Sequence, residues 1–109
     1  MNKDPICSFL GICAKGRKIV SGGFATEKAV KEGKALLVII AQDASGNTDK
    51  KFSDMCAYRE IPVFRYSDKN TLGNAIGCEE RTVLAVLDEG MAKSLIKKLE
   101  VAEANGGNK

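Results

Sequence analysis

Not one histidine occurs in the 109 residues of this chain. That removes the commonest metal ligand, the usual general base near neutral pH and every histidine-activated nucleophile pair. The four cysteines, Cys7, Cys13, Cys56 and Cys78, form no C-x-x-C pair, so zinc-ribbon and disulfide spacings are both missing. All four are expected to be reduced thiols, with no disulfide and no bound metal. No apolar run approaches the roughly 18–20 residues of a membrane span, and the longest, Ala35 to Ala41, has the length of a strand. The opening Met1-Asn2-Lys3-Asp4-Pro5 lacks the basic flank and apolar core of a secretory signal, which makes a cytoplasmic protein the expectation. The glycines at 11, 16, 22, 23 and 33 fit neither G-x-x-x-x-G-K-[ST] nor G-x-G-x-x-G, so no nucleotide loop is expected. Asp43, Asp49 and Asp54 fall in a turn and on a polar helix face rather than as a carboxylate pair. No cofactor and no catalysis are expected.

What is present is one patterned domain over residues 1–109, with its core between about 5 and 100. Asp4-Pro5 before Ile6, Phe9, Leu10 and Cys13 reads as a capped amphipathic helix that Gly16 can end. A strand at 18–21 follows, and Gly22-Gly23 turns into a helix with Ala25, Thr26, Ala29 and Val30 inward. The continuous apolar runs Leu36 to Ala41 and Val83 to Leu87 predict strands near 36–41 and 82–87 that are covered on both faces. Between them lie a helix ending near Arg59, a strand at 63–66 and a short helix over 69–76. Asp88 caps a last helix with the stripe Met91, Leu95, Leu99 and Ala102, and 105–109 reads as a frayed tail. Strands alternating with helices predict an α/β fold, a three-layer α/β/α sandwich of four strands in a mixed sheet and about five helices.

The net charge of +3 is unevenly placed. Residues 15–34 carry six basic side chains against two acidic ones, while residues 35–109 carry ten against eleven. A basic patch confined to one segment is the footprint of a phosphate backbone, or else simply a solvated helix face.

Leu10-Gly11-Ile12-Cys13-Ala14, Ile19-Val20-Ser21-Gly22, Lys28 to Ala35, Ile40 to Ser45, Leu72 to Gly77 and Val83 to Lys93 stand in the order and spacing of a known pattern. The chain thereby resembles the ribosomal L-seven-Ae family, and within it the small bacterial ribosomal-protein-like branch, over roughly residues 5–100. The resemblance implies the same sandwich and the binding of kink-turn or ribosomal RNA as partner, with no membrane or DNA involved. Family members enter the RNA with a Gly-x-Asn-Glu-x-x-Lys segment opening the second helix. Here Gly22 and Lys28 match it, whereas Phe24 and Ala25 replace the asparagine and glutamate. Neither replacement can hydrogen-bond a base edge.

The resemblance thus implies a site of Gly22 and Gly23 amides, Lys28 and Lys31 from the same helix, and Arg17 and Lys18 flanking it. Phe24 either stacks on an exposed base or packs inward as a staple. Arg81, in the loop before the last strand, either meets a phosphate or is solvated beside Glu79 and Glu80. The competing function is a protein-interaction adaptor on the same fold, for which loss of the Asn-Glu pair is equally fitting.

Overall fold

The structure, a computed structural model, describes residues 4–105. Helix α1 (Pro5–Lys15) starts where the Asp4 carboxylate accepts the amides of Ile6 and Cys7 at 2.9 and 3.1 Å, with Pro5 in the first turn. It leads through Gly16 into β1 (Ile19–Ser21), α2 (Gly23–Lys31) and β2 (Leu37–Ile40). Then follow α3 (Gly46–Tyr58), β3 (Val63–Arg65), α4 (Lys69–Ala75), β4 (Val83–Val86) and α5 (Glu89–Ala104). Ser45, Asp68 and Asp88 cap α3, α4 and α5 through side-chain oxygens, each taking the amide of the third residue on. The strands are up to two residues shorter than the apolar runs suggest. The expected frayed tail at 106–109 lies outside the described residues, and α5 runs to Ala104.

The sheet order is β1-β4-β2-β3, with β4 antiparallel to both neighbours and β2 parallel to β3. The two continuous apolar runs therefore supply the two inner strands, and every residue of β2 and β4 is buried, although Leu36 at the edge of its run is exposed. Alternation splits them cleanly. Leu37, Ile39, Leu84 and Val86 face Leu10 of α1, Leu72 of α4 and Leu95 of α5. Val38, Ile40, Val83 and Ala85 face Val30 of α2 and Phe52 and Cys56 of α3. This is the expected three-layer sandwich. No helix among the described residues is long and apolar enough to cross a membrane.

One buried polar group stands out. Thr26, on the inner face of α2, is fully buried, and its hydroxyl finds no hydrogen-bond partner among the described residues. An unsatisfied buried hydroxyl costs about 1–3 kcal/mol. Thr26→Val keeps the branched shape without the hydroxyl and is expected to raise stability by about 1 kcal/mol. Thermal unfolding checks this; a lower melting temperature would mean that the hydroxyl is bonded after all.

Candidate nucleic-acid interface

Strand β1 delivers the chain to Gly22, where φ is +90°, a backbone setting that glycine adopts without strain. Its amide donates to the Val83 carbonyl at 2.9 Å and its carbonyl accepts from Thr26 at 3.0 Å. One residue thus ties β1 to β4 and opens α2. The Gly22 amide is consequently spent inside the fold, which corrects its expected availability to a ligand. The donors left at this helix start are the amides of Gly23, Phe24 and Ala25, since a glycine cap brings no side chain to them.

Facing them is the loop before β4. The Arg81 guanidinium donates through Nε to Ser21 Oγ and through Nη1 to the Glu80 carbonyl, both at 2.9 Å. Its own amide is held by the Lys69 carbonyl at 3.0 Å. Residues 21–25 and 80–82 together line an open cleft of about 520 Å³. Arg81 is therefore a fixed, half-buried cation on the cleft wall, with part of its fork unengaged among the described residues, rather than a loose surface charge. The Glu80 carboxylate on the same wall lies 3.9 Å from the Lys69 ammonium, which offsets its charge.

Phe24 is 84% exposed. Of the two roles open to it in the sequence, packing inward is excluded. The ring stands at the head of a stripe along α2, with Lys28 and Lys31 four and seven residues on, which places all three on one face. The stripe borders a second open hollow of about 340 Å³ that also includes Glu27 and Glu32. Lys28 lies 4.0 Å from Glu32, and Lys31 pairs with Glu27 at 2.8 Å. A second lysine, Lys51 of α3, reaches the other oxygen of Glu27, also at 2.8 Å. Hydrogen bonds from Lys31 and Lys51 hold the Glu27 carboxyl down at about 2.

Arg17 and Lys18 do not flank the cleft. The Lys18 carbonyl accepts from the Leu87 amide at the far end of β1, and four extended residues separate it from Gly22 by about 13 Å. Neighbours in the sequence are here at opposite ends of a strand. Two other residues come into the site unannounced. Ser21 orients Arg81, and its place beside Gly22 was the available signal; Lys51 arrives through the packing of α3 on α2, for which the sequence carries no local sign.

The remaining candidates for chemistry are structural. Cys7, Cys13 and Cys56 are buried, and desolvation raises all three thiols, with the Asp4 charge helping to push Cys7 up to about 12. Asp49 is held by a two-pronged ion pair to Arg65, at 2.8 Å in both arms, and Arg65 lowers its carboxyl below the ordinary range. Among the described residues no group of three or more carboxylates and thiols is arranged to hold a metal ion.

A small α/β/α sandwich with an open cleft between the second helix's start and the loop before β4 places the chain in a class of compact α/β domains. The family model described as "Ribosomal protein L7Ae/L30e/S12e/Gadd45 family" matches residues 8–96, and the chain belongs to that family. Within it the chain stands with the proteins named RNA-binding protein YlxQ. It is 41% identical to that of Bacillus subtilis (strain 168) over 91 residues, 84% of this chain and 91% of the relative. It is 30% identical to that of Enterococcus faecium over 99 residues, 91% and 95% of the two chains. A solved structure of a protein with unknown function from Bacillus halodurans C superposes with a TM-score of 0.87 at 36% identity, covering 90% of this chain and 99% of that one. The Giardia lamblia 15.5kD RNA binding protein matches with a TM-score of 0.76 over 88% and 85% of the chains; at 24% identity it speaks for the fold alone.

Proposed function

We propose that this protein is a non-enzymatic, cytoplasmic module that binds structured RNA through the α2 start and the facing loop. The observation that carries the reading is Phe24, an aromatic ring left 84% exposed beside uncapped amides, with Arg81 across the cleft and Lys28 and Lys31 along the helix. Free amides at a helix start and the spare donors of Arg81 suit phosphate oxygens. A ring held in water suits the face of an unpaired base, a contact worth about 1–3 kcal/mol in single-stranded complexes. The names of the YlxQ relatives support RNA as the ligand. Because Phe24 and Ala25 carry no base-reading groups, the RNA bound is one recognised by stacking and backbone contacts, ribosomal RNA with an unpaired base being the leading candidate.

The test is binding to RNA stems with and without an unpaired bulge, across a salt series. Phe24→Ala is expected to weaken the bulged stem by roughly tenfold or more. Lys28→Ala should weaken both stems and flatten the salt slope by roughly one. RNA binding absent at low salt would end this reading and leave the protein-interaction adaptor in its place.

A further inference from the structure

Glu27 is an anion already seated between two helices. Its Oε2 lies 2.8 Å from the Lys31 ammonium and its Oε1 2.8 Å from that of Lys51, so each oxygen is held by a different helix. The carboxylate opens onto the same hollow as Phe24 and Lys28. Two ammonium groups set to hold the two oxygens of one planar anion are also set to hold two oxygens of a phosphate. The cations remain in contact with water, Lys31 and Lys51 keeping more than half of their side-chain surface exposed. Ion pairs in such surroundings exchange partners at little cost. A nucleic-acid strand that stacked on Phe24 and followed Lys28 along α2 would next meet Lys31, one member of this pair.

We infer that the RNA surface continues from α2 onto α3, with Lys31 and Lys51 forming a second phosphate position that the Glu27 carboxylate fills in the free protein. The inference rests on the proposed RNA reading and adds to it a site on another helix. It gives Glu27 a definite role: an internal stand-in for phosphate that lowers affinity for any strand crossing α2. Removing its charge should expose the two lysines, and Lys51 should matter most once it is exposed.

Binding of the same bulged RNA stem by the parent, Glu27→Gln, Lys51→Ala and the double variant tests this, with Glu100→Gln as a control. Glu100 lies on α5, whose buried stripe packs on the opposite face of the sheet, and its substitution makes the same change in net charge far from α2. Glu27→Gln is expected to bind about five- to tenfold more tightly at low salt, with a salt slope steeper by about one to two as the freed lysines engage phosphates. Lys51→Ala should remove most of the gain in the Glu27→Gln background, a larger loss than the same substitution causes in the parent. An equal gain in Glu100→Gln would overturn the inference, because general charge would then explain it. So would an unchanged Glu27→Gln alongside a weakened Phe24→Ala, which leaves the RNA reading standing and confines the surface to α2. Absence of RNA binding in every variant overturns both.

Discussion

Gly73→Ala is expected to lower the melting temperature by more than about 10 °C, since Gly73 has the tightest backbone surroundings of the described glycines. A Cβ built at Gly73 would sit 1.9 Å from the Glu79 carbonyl oxygen, 2.6 Å from its carbon and 2.9 Å from the Glu80 Cα. All three are backbone atoms, so no side chain can swing aside. The loop would have to retreat by roughly 1 Å, an overpacking strain of about 3 kcal/mol. It would drag with it the Cys78 amide, bonded to the Gly73 carbonyl at 2.8 Å, and the Arg81 amide, bonded to Lys69 at 3.0 Å. Two readouts should therefore move together: thermal unfolding, and RNA binding measured well below the new melting point, because Arg81 leaves its place on the cleft. Gly90→Ala is the contrast. Its nearest neighbour is the Asp88 carboxylate at 3.5 Å, an ordinary contact, and alanine in a helix should leave stability unchanged or raise it by up to about 1 kcal/mol. A Gly73→Ala protein with the parent's melting temperature would show that the loop and α4 are not packed as described.

The second large effect concerns specificity. The double substitution Phe24→Asn with Ala25→Glu should bind a standard kink-turn at least about tenfold more tightly than the parent, since one good base-edge contact is worth about 1–3 kcal/mol of discrimination. The structure makes this a clean experiment. Phe24 is 84% exposed, and Ala25, expected inward, is instead half-buried on the cleft and outside the core clusters, so neither change disturbs the core. The glycine turn, Arg81 and Lys28 that surround them stay in place. The same double variant should lose the parent's preference for a bulged stem, because the stacking ring is gone. Equal kink-turn affinity in parent and variant would mean that Phe24 recognises the motif by another route.

Much of this fold is legible in the sequence because its strongest signals are local. Leu36 to Ala41 and Val83 to Leu87 are too apolar and too short to be anything but inner strands, and Asp4-Pro5 and Asp88 mark helix starts by their own chemistry. The site was legible only where it follows one helix. Phe24, Lys28 and Lys31 share a face because helical spacing dictates it. Arg17 and Lys18 were misplaced because four residues of strand carry a side chain about 13 Å away. Lys51 was invisible, since only the packing of α3 beside α2 brings it to Glu27. The same holds for Gly22, whose amide is occupied by a carbonyl more than half the chain away.

That long-range pairing bears on when the protein can work. Strand β1, which carries the cleft's first wall, pairs among the described residues with β4 alone. The segment from Ser21 to its partner Leu84 takes roughly 3 to 13 seconds to synthesise at typical rates of elongation. Until then β1 has only α1 and α2 to pack against, Gly22 lacks the Val83 carbonyl, and the loop with Arg81 has no β4 to hold it opposite the α2 start. A nascent chain lacking β4 would carry the α2 lysines but no cleft, so the proposed site assembles only after β4 has been made.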